Sequence, residues 1–317
     1  MTTSILITGA NGFVGHQLGS TMAQSGYKVV GAVRTTENLE KGVSSILVPS
    51  IDESTSWTEA LQGIDTVIHL AARVHVMTET ASNPLAEFRH VNVAGTLNLA
   101  QQAVSARVRR FVYISSIKVN GETTDGRSSF TPADTPNPQD PYGVSKWEAE
   151  QALWGLAAST GLEVVVIRPP LIYGPMVKGN FRTLMELLKR RWPLPLGLIQ
   201  NHRSFVGLTN LVSFIVQCSL QAAAANETFL ISDGEDLSTS ELLRRLGHAM
   251  GSKPVLLPVP PRLLQIAASA TGRDTLATRL LGSLQVNASK ARTMLKWTPP
   301  MSMDAELQRT ADSFLNT

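Results

Sequence analysis

The chain has 317 residues, of which 43% are hydrophobic and 17% charged, with a formal net charge of +3. That length and balance describe one large globular domain or two unequal ones, and the charge is too small to argue for a nucleic-acid partner. A single cysteine, Cys218, excludes an intrachain disulfide, and no apolar run approaches the roughly 20 residues that span a bilayer.

The first expected element is a strand over Ser4–Thr8, which runs directly into glycines at 9, 12 and 15. A helical pattern then begins and continues over Val14–Gln24. A Cβ in such a turn would block it and hold a diphosphate away from the backbone. The helix start behind it offers free N–H groups and a positive dipole end. The spacing GxxGxxG differs from the usual GxGxxG, and no Gly-Lys-Ser/Thr follows, so this is not a Walker loop.

Strands are expected next at Lys28–Val33, Ser45–Val48, Thr66–Leu70, Phe111–Ser115 and Glu163–Ile167. Helices are expected between them at Trp57–Leu61, Pro84–Ser105 and Tyr142–Ser159. This is the βαβ rhythm of a parallel sheet covered by helices on both faces, and runs such as Val164-Val-Val-Ile167 suit strands buried on two sides. The fold class is therefore α/β, a doubly wound parallel sheet with a smaller mixed C-terminal lobe. The rhythm breaks after Arg168-Pro169-Pro170, where prolines and glycines multiply. A helix at Leu208–Leu220 and a strand at Thr228–Ile231 still belong to the first architecture, while helices at Ser238–Met250, Pro261–Ala270 and Asp304–Ser313 read as the second lobe. The dinucleotide-binding domain is thus expected over 1–168 with parts of about 205–232, and the substrate lobe over 169–204 and 233–317. The basic runs Arg107-Val-Arg-Arg110 and Lys189-Arg-Arg191 read as solvated helix ends, and Cys218 as a small core residue. The N-terminus lacks a basic region before its apolar run, so no signal peptide is expected and the cytoplasm is the simplest location.

The chemistry concentrates in Tyr142-Gly-Val-Ser-Lys146, behind Asp140-Pro141. The proline suits a helix start, which puts Tyr142 and Lys146 on one helical face. A free phenol, with a pKa near about 10, is a poor base at neutral pH, and a neighbouring ammonium is expected to lower that value. Such a pair can move a proton at an alcohol oxygen while hydride moves at the adjacent carbon. Ser115-Ser116 ends an expected buried strand, so Ser116 would face the crevice at the carboxyl edge of the sheet and serve the same oxygen.

With these pieces in order, the chain resembles an extended short-chain dehydrogenase/reductase of the Rossmann type, in the NAD-dependent epimerase/dehydratase branch that acts on nucleotide sugars. The matching stretches are Thr8–Gly15, Asp65–Ala72, Val91–Thr96, the Ser116 strand, Tyr142-x-x-x-Lys146 and Arg168–Pro175. The resemblance implies Ser116, Tyr142 and Lys146 as the catalytic triad, with Lys146 also on the nicotinamide ribose. It implies a cofactor site at Gly9, Asn11, Gly12, Phe13, Val14, Ile51, Leu70, Ala71, Ala72 and Pro169, and a bracing role for Asn92. Asn180, Arg203 and Arg273 match positions that meet the substrate diphosphate, and Pro193–Gly197 the loop that holds the base. It further implies a homodimer through the 84–105 and 142–159 helices. His75 could touch the sugar or simply pack.

Two departures matter. Dehydratases of the branch carry an Asp-Glu pair after the strand hydroxyl, where this chain has Ile117 and Lys118, so water elimination lacks its acid and base. At the end of the second strand the usual acidic partner of the adenosine ribose is Val33, followed by Arg34, a guanidinium suited to a 2′-phosphate. The Gly-Asp pair near the adenine is replaced by Ser50-Ile51, with Asp52 beyond it. NADP(H) is therefore favoured over NAD, and the leading expectation is hydride transfer to C4 of a UDP-linked 4-keto-6-deoxy-hexosamine. The stretches His69–Met77 and Ser115–Gly121 resemble bacterial 4-ketoreductases of cell-surface polysaccharide synthesis. A UDP-hexose 4-epimerase with tightly held NAD is the first alternative, and an NADPH-dependent reductase of a small non-sugar carbonyl the second. A dinucleotide-sensing regulator is a further rival, which the presence of both Tyr142 and Lys146 weighs against. No metal and no nucleic-acid or membrane partner is expected.

Overall fold

The computed structural model describes residues 3–35, 39–74 and 83–316; His75 lies outside them. Its principal sheet has seven parallel strands: β1 (Ser4–Thr8), β2 (Lys28–Val33), β3 (Val43–Leu47), β4 (Thr66–His69), β5 (Arg110–Ile114), β6 (Glu163–Arg168) and, after two short strands, β9 (Glu227–Leu230). They lie in the order β3-β2-β1-β4-β5-β6-β9, so the order reverses at β1, where β4 pairs on its other side. Ligands of such sheets bind beyond the strand ends at that reversal. Two apolar layers cover the sheet. On one face Leu18 and Met22 of α1 (Phe13–Gln24) join Leu211, Phe214 and Ile215 of α6 (Leu208–Leu220). On the other, Leu99 and Ala103 join Ala149 and Leu153 across Phe111 and Val164.

The strand and helix expectations hold within a few residues, with two corrections. Trp57–Leu61 is a run of turns rather than a helix. It keeps one helical bond, from the Leu61 N–H to the Trp57 carbonyl at 3.0 Å, and side chains hold its entry: Gln102 Oε1 accepts from the Trp57 N–H at 2.7 Å, and Asn98 and Gln102 both donate to the preceding Thr55 carbonyl at 2.8 Å. The 84–105 helix is not uniform. α2 (Pro84–Arg89) and α3 (Thr96–Ser105) flank a widened π turn at His90–Gly95. A Cβ on Gly95 would fall 2.8–2.9 Å from Ile51, so the widened turn is pressed onto the loop after β3. α4 (Pro141–Thr160) starts under an Asp140 cap, whose Oδ1 accepts from the Gly143 N–H at 2.7 Å, and ends at left-handed Gly161. A third correction concerns charge. Arg110 is fully buried, donating to Glu163 at 2.8 Å and to the carbonyls of Cys218 and Gln221 at 2.8 and 2.7 Å. Cys218 is buried as expected.

A second sheet joins β7 (Leu171–Tyr173), β8 (Arg203–Gly207) and β10 (Asp236–Leu237). Around it α5 (Gly179–Lys189), α7 (Thr239–Ala249) and α11 (Met303–Leu315) bury Phe181, Met185, Leu243 and Leu307. Beyond α7 lie α8 (Pro261–Ala270), α9 (Asp274–Leu281) and α10 (Ser289–Leu295). Ala291 and Leu295 of α10, with Trp297, pack on the core of the first sheet against Phe214 rather than within the second lobe.

Candidate active site

A cavity of about 1070 Å³ opens at the carboxyl ends of β1, β2, β4 and β5. Its floor is the glycine turn. Gly9 sits at φ +67°, a left-handed conformation that favours glycine, and a Cβ there would press on Ala71 at 3.2 Å. At Gly15 a Cβ would lie 2.2 Å from the Gly9 carbonyl oxygen, so this glycine is what lets α1 start directly behind the turn. No side chain caps α1, whose first residues Phe13, Val14 and Gly15 line the cavity. The uncapped helix start and the close-approach glycines fit a diphosphate.

Every residue expected to hold the cofactor borders this one space. Gly9, Asn11, Gly12, Phe13 and Val14 form one wall, and Leu70, Ala71 and Ala72, the chain leaving β4, form another. Ile51 and exposed Arg34 stand at the far end, while Pro169 closes the side beside Ser116, Tyr142 and Lys146. Val33, in the slot of the ribose acid, is buried and lines the cavity. Asp52, two positions beyond the expected aspartate, reaches the cavity too, as do His90 and Lys178. The Asp52 carboxylate is engaged locally, accepting from the Ser54 N–H at 2.8 Å and the Ser54 hydroxyl at 2.6 Å, which holds its pKa well below the usual carboxylate range.

The catalytic candidates are placed by packing beneath them. Tyr142 meets Phe88 of α2 edge-on at 6.0 Å between ring centroids. Ser116 caps a short turn at Ile117–Val119, accepting from the Lys118 N–H at 3.3 Å. Lys118 bridges Glu122 at 2.8 Å and Asp140, the α4 cap. It thereby ties the Ser116 turn to the helix that carries Tyr142. Lys146 is buried with Nζ 4.2 Å from the centroid of the Tyr113 ring. One helical turn on, buried Glu150 pairs with Arg168 at 2.5 Å and accepts from Ser115, and Arg168 donates on to Asn120 Oδ1 at 2.9 Å. Asn92, in the π turn, donates to the Arg73 carbonyl and the Ser145 hydroxyl at 3.0 Å each and accepts from the Arg73 N–H at 2.8 Å. It joins the β4 loop to α4, a bracing role. His69 lies between Thr8 at 2.8 Å and Thr96 at 3.0 Å, and burial pushes its pKa down to about 3, so it is a neutral polar strut.

The electrostatics reverse one expectation. Burial pushes the Tyr142 phenol up to about 12, Asp140 adds to that, and only a hydrogen bond from Ser116 opposes it. Burial likewise pushes the Lys146 ammonium down to about 7 despite the Glu150 carboxylate. The protein's own charges therefore do not acidify the phenol, because desolvation outweighs them.

Of the expected substrate residues Ser116 lines the cavity, and Asn180, Arg203 and Arg273 do not. Asn180 is exposed on the first turn of α5, next to Lys178 at the rim. Arg203, half-buried at the start of β8, donates to the Gly282 carbonyl at 2.8 Å and faces the charges of Glu122 and Asp125. Arg273 is exposed at the start of α9.

Glycine turn, sheet reversal and the Ser-Tyr-Lys cluster together define a nicotinamide-dinucleotide site of the Rossmann type. Residues 5–231 match the description of the NAD dependent epimerase/dehydratase family, and the chain belongs to that family. It is 44% identical to a UDP-glucose 4-epimerase of Vibrio cholerae over 317 residues, covering 99% of this chain and 96% of the relative. It is 26% identical to the N-acetyl-alpha-D-glucosaminyl-diphospho-ditrans,octacis-undecaprenol 4-epimerase of Escherichia coli O157:H7, over 98% and 95% of the two chains. The fold matches the UDP-glucuronic acid 4-epimerase of Bacillus cereus in complex with UDP-glucuronic acid and NAD, with a TM-score of 0.80 at 22% identity and 99% of both chains covered. The chain is thus an enzyme of a family described as NAD dependent, and a preference for NADP gains no support from these relatives.

Proposed function

We propose that this protein is a 4-epimerase of a UDP-linked hexose. The observation that carries the reading is the convergence of Ser116, Tyr142 and Lys146 on the cavity that the glycine turn opens into. The similarity to 4-epimerases along nearly the whole chain supports C4 as the reacting carbon, and reverses the order of the two leading expectations. Tyr142 takes the proton of the C4 hydroxyl and returns it to the same oxygen once the sugar has turned its other face. Ser116 holds that oxygen by a hydrogen bond, and Lys146, one helical turn beyond Tyr142, serves as a ribose partner. NAD, when bound by the walls described above, would take hydride from C4, give it back, and place positive charge beside a phenol that the protein alone leaves too basic. Elimination of water is not part of the scheme, because Ile117 is buried and Lys118 is engaged in ion pairs. The reaction belongs in the cytoplasm, and a homodimer is proposed through α2, α3 and α4.

A second reading keeps the same residues and makes the protein a 4-ketoreductase consuming NADPH. Arg34 at the cavity, with Val33 where an acidic residue would stand, favours it. Purified protein separates the two. Bound NAD together with interconversion of UDP-glucose and UDP-galactose without added cofactor supports the epimerase. Stoichiometric NADPH oxidation by a UDP-4-keto sugar supports the reductase. Neither activity on any UDP-sugar would overturn both.

A further inference from the structure

The run Lys189-Arg190-Arg191, read from sequence as a solvated helix end, has more around it than solvent. α5 ends in left-handed Arg191, and the Trp192 N–H donates to the Leu187 carbonyl at 3.2 Å, which leaves the indole 58% exposed. The chain beyond it pairs with a distant segment: Leu194 N–H donates to Val255, Leu257 N–H to Leu194, and Gly197 N–H to Leu257, at 2.8–3.0 Å. Leu198, Val255 and Leu257 are exposed along this seam. The seam leads into α8, none of whose residues is buried. Leu264 and Ala268 are half-buried toward the protein, whereas Leu263 and Ile266 point outward at 57% and 65% exposure.

Cations frame this apolar ridge. From Met250 to Arg273 the chain carries Lys253, Arg262 and Arg273 and no carboxylate, while Arg244 and Arg245 of α7 are paired with Glu241, Glu235 and Asp304. Arg244, His248 and Lys253 line a shallow basin of about 830 Å³ beside Gly197 and Leu256. Arg190 and Arg191 are exposed at the end of α5, where the Ser252 hydroxyl donates to the Leu188 carbonyl at 3.5 Å. An amphipathic helix with a bare apolar face, an exposed tryptophan and surrounding arginines is the pattern of an interfacial helix lying in the plane of a bilayer.

We propose that Trp192, just past α5, and α8 form a docking face for an anionic membrane surface. Leu263, Ile266 and Trp192 enter the headgroup–acyl boundary, and Arg190, Arg191, Lys253 and Arg262 meet lipid phosphates. This needs no spanning segment; no helix among the described residues is long and apolar enough to cross a membrane. It departs from the expectation of no membrane partner, which rested on the lack of a spanning apolar run and not on where the cations lie.

Co-sedimentation of the full chain with vesicles tests it, using phosphatidylcholine alone or mixed with phosphatidylglycerol. Binding is expected only with the anionic lipid and to weaken as salt rises. Leu263→Ser with Ile266→Ser should lower the partition coefficient at least about tenfold. Arg190→Gln with Arg191→Gln should lower it about 25-fold at low salt, each surface cation contributing about fivefold. Thermal melting and turnover of soluble UDP-sugar should stay unchanged in both variants, which separates failure of docking from failure of the epimerase reading. No sedimentation with either lipid overturns the proposal. So does binding indifferent to both pairs of substitutions, or conversion of an oligomer to monomer by the apolar pair, which would assign the face to a second copy of the chain.

Discussion

Replacing Lys146 by methionine should make the protein more stable while removing its turnover. The side chain is buried over the Tyr113 ring, and burial pushes its ammonium from 10.5 down to about 7. The folded value lies below the unfolded one, so folding expels a proton between those limits. Stability is therefore lowest, on this account, where both states hold the proton, and rises as pH climbs from about 7 toward 10.5. The burden is roughly 4–5 kcal/mol at pH 7 and below, about 2 kcal/mol near pH 9, and close to zero above about pH 10.5. Methionine matches the unbranched stem and carries no charge to desolvate, and Glu150 keeps Arg168 as its partner. Urea unfolding of both proteins, followed by circular dichroism at about pH 6, 7.5 and 9, measures the gap. The variant should be the more stable at the two lower values, with the gap shrinking at the highest. A variant less stable than the parent at neutral pH, or a gap that does not move with pH, would refute the reasoning.

Other perturbations follow from the same geometry. Gly15→Ala places a methyl 2.2 Å from the Gly9 carbonyl oxygen, so it should cost about 3 kcal/mol and strip bound dinucleotide, seen by melting and by cofactor content. Glu150→Gln leaves Arg168 buried without its counter-charge and should cost about 3 kcal/mol in urea unfolding. Arg34→Ala should weaken NADP(H) at least about tenfold by titration while changing NAD affinity little, if the guanidinium reads a 2′-phosphate.

Much of this was legible in the residues alone. Continuous apolar strands such as Val164–Ile167 and the glycines at 9, 12 and 15 carry their geometry in their composition, since only buried parallel strands and close-approach turns want them. The site elements converge because each ends a strand or starts a helix at the same edge of the sheet. What escaped depends on partners far along the chain. The strands of the second sheet run only two to five residues, too short for a periodic pattern. Arg110 looked solvated because nothing nearby in sequence announces Glu163 or the Cys218 and Gln221 carbonyls. The Trp57 segment has helical spacing, but distant Asn98 and Gln102 fix its entry by bonding the Thr55 carbonyl and the Trp57 N–H. The phenol's pKa went the other way because sequence reveals the neighbouring ammonium but not how dry both groups are.

Turnover of UDP-glucose by Tyr142→Phe, in protein that melts like the parent and retains its dinucleotide, bears most directly on the scheme. Loss of the phenol's proton transfer predicts a fall in kcat of about a thousandfold with little change in KM. Interconversion at C4 within a few-fold of the parent rate would contradict it, and would move the proton-transfer role to another group in the cavity.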